Sequence, residues 1–124
     1  MQRDKPLILY VDDDPDYRLA VRQMLEAGGM AVLEARDGEE GLRLYRQAAP
    51  DLILLDLMME EVDSGVNLLL QLRALGNKAP VYLISSVGDN MDLMTNTADL
   101  GFAGVFQKPV NRDHILSVIR SRVH

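Results

Sequence analysis

The chain has no cysteine and no tryptophan, only 5% of it is aromatic, and its 13 lysines and arginines are outnumbered by 19 aspartates and glutamates. Each shortage closes off a class of function. Without cysteine there is neither a disulfide framework nor a thiolate metal site; a reducing compartment is permitted, and a cytoplasmic location is expected. A net charge of −6 with so few aromatic rings argues against direct contact with nucleic acid. Phosphate backbones are held by clustered cations, and unpaired bases by stacking platforms. No apolar run approaches the roughly 20 residues that span a bilayer. The opening Met1-Gln2-Arg3-Asp4-Lys5-Pro6 leads into only five apolar-type residues before three aspartates, so neither a signal peptide nor a membrane partner is expected. At 124 residues and 48% hydrophobic, the chain suits one compact domain over 1–124 and is too short for two.

What is present is a set of short apolar runs, each ending in polar chemistry. Leu52-Ile53-Leu54-Leu55 lies between Asp51 and Asp56 and has the character of a strand buried on both faces of a parallel sheet. Leu7 to Val11 form a second such run, which ends in Asp12-Asp13-Asp14. Further strands are expected at 30–35, at 81–84 ahead of Ser85-Ser86, and at 103–106 ahead of Gln107-Lys108-Pro109.

Helices fill the intervals. Asp14 and Pro15 suit the N-cap and first position of a helix with inner residues Leu19, Ala20, Met24 and Leu25, stopped by Gly28-Gly29. Asp37-Gly38-Glu39-Glu40 has capping-box spacing, and Pro50 closes the helix it starts. A turn-rich loop over 57–65 precedes a leucine-rich helix over 66–75. A weak helix is expected within 89–100, where asparagine, aspartate and threonine lower the summed propensity. Asn111 caps the last helix.

Strand and helix thus alternate five times, which predicts a five-stranded parallel α/β sheet covered on both faces, and a doubly wound, flavodoxin-like order 2-1-3-4-5 suits it because its two most apolar strands then lie centrally. In that fold Asp12, Asp13, Asp56, Ser85 and Lys108 all stand at the carboxyl edge, near the topological switch point. Each alone has an ordinary explanation as a cap, a strand end or a surface side chain. Jointly they read as a site. Clustered carboxylates need a compensating cation, and an oxygen-only donor set selects Mg²⁺, or Mn²⁺, before zinc. A cation, an ammonium and a hydroxyl around one carboxylate are the parts that stabilise a transferring phosphoryl group, with Asp56 as nucleophile.

Val11-Asp12-Asp13-Asp14-Pro15-Asp16, the strand ending in Asp56, Pro80 to Ser86 and Lys108-Pro109 together resemble the receiver domain of two-component response regulators, over essentially the whole chain. The resemblance implies the strand order 2-1-3-4-5, which the alternation supports, and a phosphoacceptor signalling module rather than an enzyme, one that assists its own phosphotransfer and dephosphorylation. It implies that Asp56 takes phosphoryl from the phosphohistidine of a sensor kinase or phosphotransfer protein. Asp13, Asp56 and the Met58 main-chain carbonyl would bind Mg²⁺, with Asp12 assisting. Lys108 and Ser85 would pair with the phosphate, and the Lys108-Pro109 bond would be cis. The signal would pass to a downstream protein or output domain through the fourth helix, last strand and last helix.

Three departures from the family pattern stand out. In the loop after Asp56, Met59 is followed by Glu60 where proline is common, Glu61 adds a second carboxylate, and the stretch to Gly65 is one residue longer than usual. Met58 is apolar where polar residues are frequent, which implies slower hydrolysis of the acyl phosphate. Val105 occupies the position of the switching aromatic, and Phe106 beside it should face the other way, because side chains alternate along a strand. Two other readings compete: a pseudo-receiver that only binds a partner, and a Mg²⁺-dependent aspartyl phosphatase, for which no cap domain or second acid is evident.

Overall fold

The computed structural model describes residues 5–56, 64–85 and 101–123, with the backbone alone described over 64–67. Its elements in chain order are β1 Leu7–Val11, α1 Pro15–Ala27, β2 Ala31–Ala35, α2 Gly38–Ala48, β3 Leu52–Asp56, α3 Ser64–Ala74, β4 Val81–Ser85, β5 Gly104–Gln107 and α4 Arg112–Arg122. The strands pair in parallel in the order β2-β1-β3-β4-β5, the doubly wound, flavodoxin-like sheet that the resemblance implies and the alternation supports. Ser64 and Gly65, read from the sequence as loop, open α3. The expected helix within 89–100 and the loop over 57–63 lie outside the described residues.

Burial on both faces explains the apolar runs. Every residue of β3 and β4 is buried, and so is all of β1 except Leu7. Alternate residues nevertheless serve different cores. Ile8, Tyr10, Leu52, Leu54 and Ile84 pack with Val21 and Leu25 of α1 and with Ile115 and Ile119 of α4. Leu9, Val11, Ile53, Leu55 and Leu83 pack with Leu68, Leu69 and Leu72 of α3 and against the inner side of α2. Phe106 belongs to the first core and Val105 packs on the second, so the two occupy opposite faces as expected.

The buried stripe of α1 is Tyr17, Val21, Met24 and Leu25, at i, i+4, i+7 and i+8. Leu19, expected inside, is 51% exposed, and Ala20 is exposed too. At about 100° per residue, Leu19 falls some 200° from Tyr17 and therefore on the solvent side.

Helix ends follow their residue types. Asp14 accepts from the amides of Asp16 and Tyr17, and Asn111 from that of His114. Asp37 accepts from the Glu40 amide at 2.8 Å, while Glu40 reaches back to the Arg36 amide at 2.9 Å, one residue before the partner of an ordinary capping box. Gly29 and Gly76 take positive φ, 88° and 82°, where α1 and α3 end.

At the far end of the sheet, Asp51 clasps β1: its carboxylate accepts from the Leu7 amide at 2.8 Å, and its own amide donates to the Leu7 carbonyl at 2.8 Å.

Candidate functional site

The site is assembled where three central strands run out. β1 ends at Val11, and the Asp12 amide still donates to the Ala35 carbonyl at 3.0 Å, which holds Asp12 in line with the sheet. β3 delivers Asp56, which is in register with Ile84 of β4, so Ser85 stands one step further along the same edge. Asp12 and Ser85 are 0% exposed and Asp56 3%. The Lys108 amide donates to the Ser85 carbonyl at 2.7 Å, which fixes where the lysine leaves β5, and the Lys108-Pro109 bond is cis.

Asp12, Asp13 and Asp56 each place a carboxylate oxygen within 4.8 Å of the others. Opposite them, the Lys108 ammonium lies 3.5 Å from Asp56 Oδ1 and 4.0 Å from Asp12 Oδ2. Among the described residues, three clustered carboxylates face one ammonium, an excess of negative charge in a largely desolvated setting. That excess and an all-oxygen donor set fit a hard divalent cation.

Asp12 is held from several sides. Its Oδ1 accepts from the Asp14 amide at 2.9 Å and its Oδ2 from the Tyr10 hydroxyl at 2.5 Å. Its main-chain carbonyl accepts from Arg18 Nη1 at 2.7 Å, and Glu34 on β2 in turn pairs with both Arg18 and Arg22. Burial, and then the hydrogen bond to the Asp12 carboxylate, push the Tyr10 hydroxyl pKa far above the ordinary tyrosine value.

The sequence profile of the response regulator receiver domain matches residues 8–120. The chain belongs to this receiver-domain family. The response regulator MprA of Mycobacterium sp. (strain KMS) is 33% identical over 114 residues, 92% of this chain and 49% of that protein. The "Probable transcriptional regulator ycf27" of Guillardia theta is 32% identical over 117 residues, 94% of this chain and 45% of the relative. The receiver domain thus spans about half the length of the curated relatives it matches. In fold it is similar to a response regulator receiver domain protein from Clostridium thermocellum, with a TM-score of 0.86 at 24% identity, covering 95% of this chain and 94% of the other.

Of the residues that the sequence singled out, the receiver fold gathers Asp12, Asp13, Asp56 and Lys108, and sets Ser85 on the adjoining strand end. Met58 lies outside the described residues. Tyr10, Tyr17 and Arg18 were not anticipated. Tyr10 had a readable signal, since it precedes Asp12 by two and so shares its face.

Proposed function

We propose that this receiver domain is a phosphoacceptor switch in which Asp56 takes a phosphoryl group from the phosphohistidine of a sensor kinase or a phosphotransfer protein. The observation that carries the reading is the Lys108 ammonium 3.5 Å from Asp56 Oδ1, with Asp12 and Asp13 beside the same carboxylate. An Asp56 oxygen attacks phosphorus, the P–N bond breaks, and its electron pair leaves with the donor imidazole. No general base is needed, since an ionised carboxylate is already a nucleophile. Asp12, Asp13 and Asp56, with the Met58 carbonyl, would hold Mg²⁺, which supplies charge neutralisation to the phosphoryl oxygens. Lys108 moves from the carboxylates to a phosphoryl oxygen, and the Ser85 hydroxyl donates to another.

Water then attacks the phosphorus, the bond to the Asp56 oxygen breaks, and the Asp56 carboxylate and inorganic phosphate are released, so the module resets itself in the cytoplasm without becoming a turnover enzyme. Its output goes to a downstream protein or to an output domain, as the regulator names of its relatives suggest. With Val105 in place of an aromatic, switching relies on Ser85 rather than on a coupled aromatic swing.

Incubation with Mg²⁺ and acetyl phosphate, followed by intact-mass measurement, tests the reading. One added phosphoryl group is expected, absent from Asp56→Asn. An unmodified wild-type protein, or an Asp56→Asn variant modified equally, would remove it. Catalytic release of phosphate from a small ester would instead favour a phosphatase.

A further inference from the structure

Tyr17 stands outside the acidic set, yet it touches the turn that carries Lys108 in two ways. The Lys108 Nζ lies 4.4 Å from the centroid of the Tyr17 ring. The Tyr17 hydroxyl accepts a hydrogen bond at 3.0 Å from the amide of Val110, two residues further along the same turn. Tyr17 itself is placed firmly. It sits in the first turn of α1, its amide donates to the Asp14 cap at 3.3 Å, and its half-buried ring packs against the core shared by α1 and α4.

Lys108 is therefore anchored at three points. Its amide is tied to the Ser85 carbonyl, the Val110 amide that follows it to Tyr17, and its ammonium is near both a π face and two carboxylates. A lysine side chain has four rotatable bonds and, unrestrained, spends much of its time in water. The electron-rich ring face attracts the cation while offering no hydrogen-bond acceptor. An ammonium held at 3.5 and 4.0 Å from its carboxylates stays within one small movement of a group arriving on Asp56.

We propose that Tyr17 is a positioning residue for the phosphoryl-binding lysine: its ring holds the Lys108 ammonium beside Asp56, and its hydroxyl fixes the turn that carries it. The proposal rests on the phosphoacceptor reading of Asp56 and adds to it a residue from the first turn of α1. The ring and the hydroxyl have separable parts. Phenylalanine keeps the π face and loses the tie to Val110, whereas leucine and methionine fill the space with neither.

The test is a titration of the full chain with beryllofluoride in saturating Mg²⁺, followed by amide NMR, for wild type, Tyr17→Phe, Tyr17→Leu and Tyr17→Met, with melting curves to establish folding. Tyr17→Phe is expected to stay within about threefold of wild type, and the Leu and Met variants to bind about 5- to 30-fold more weakly, the range of a partly desolvated cation–π contact. Mg²⁺ affinity in the absence of beryllofluoride is expected to change little in any of them. The wild-type protein offers a readout free of mutation: the Lys108 ε-methylene protons should be shifted upfield by the ring. Equal beryllofluoride affinities in the folded variants, or ε-protons at unshifted positions, would overturn the role of Tyr17 and leave Asp56 as phosphoacceptor. A wild-type protein that takes up no beryllofluoride would overturn both.

Discussion

The Tyr10 hydroxyl donates to Asp12 Oδ2 at 2.5 Å, and both residues are fully buried, so one side chain of the hydrophobic core reaches into the acidic site. Tyr10 shares one core cluster with Ile8, Leu52 and Leu54, and its hydroxyl meets the carboxylate. Tyr10→Phe keeps the packing and removes the donor. A buried carboxylate that loses a hydrogen bond costs about 1–3 kcal/mol, and that is the expected loss in urea unfolding without Mg²⁺. With Mg²⁺ present the gap to wild type should narrow, because the cation gives Asp12 the compensation it lost. An equal gap in both conditions would separate Tyr10 from the site.

The same contact makes stability sensitive to alkali. Burial first, and then the bond to Asp12, raise the folded-state pKa of Tyr10, so its hydroxyl stays protonated in the native state after the unfolded chain begins to ionise. The stabilisation is complete below the unfolded tyrosine value of about 10 and declines above it, by up to about 1.4 kcal/mol per pH unit for this one group. Unfolding free energies measured from pH 9 to 11 should therefore fall more steeply for wild type than for Tyr10→Phe. Parallel slopes would contradict the assignment.

Gly104 presents a packing test on the edge strand. It pairs in register with Tyr82, and a Cβ at this position would lie 2.8 Å from Tyr82 Cε2. The ring cannot easily give way. It stacks on Phe106 with centroids 5.2 Å apart, and its hydroxyl accepts from Arg122 Nε at 2.9 Å. Gly104→Ala should therefore destabilise by about 1–3 kcal/mol, the usual range for overpacking. In a Tyr82→Leu background the penalty should shrink, and a double-mutant cycle would read the coupling directly. Additive effects would place the strain elsewhere.

How far the sequence reveals this site is clearest from Asp51 and Asp56, which bracket one strand. Composition cannot rank them, but chain direction can, because parallel α/β sheets carry their chemistry at the carboxyl edge. Asp56 accordingly meets Lys108, and Asp51 closes the opposite end by holding Leu7. The order of elements was equally legible, because runs such as Leu52 to Leu55 are too short and too apolar for anything but interior strands. Which residue of a run faces which core was hidden, since both parities are apolar. Leu19 reads as an inner residue but faces solvent, because its helix is aligned by Tyr17 and Val21, and a tyrosine does not announce itself as a core residue. The roles of Tyr10 and Tyr17 are hidden for a related reason: each carries a polar tip on an apolar body, and only three-dimensional neighbours show where the tip goes.

Asp13 is the member of the acidic cluster through which repulsion and cation binding can be separated. Its carboxylate lies within 4.8 Å of those of Asp12 and Asp56, and it is less buried than either. The three charges repel one another, and Lys108 lies 3.5 Å from Asp56 Oδ1 and 4.0 Å from Asp12 Oδ2. Asp13→Asn removes one charge from this excess, so the cation-free variant should be more stable than wild type by about 1 kcal/mol, allowing for solvent screening at this partly exposed position. Mg²⁺ should have the opposite preference. At a hundred times its dissociation constant a cation that binds only the folded state adds about 2.7 kcal/mol, which wild type should show and Asp13→Asn should largely lose. Unfolding curves of both proteins, with Mg²⁺ and with a chelator, should therefore cross in rank order. If the rank order stays fixed, either the acidic cluster is already neutralised without a metal or Asp13 takes no part in holding one.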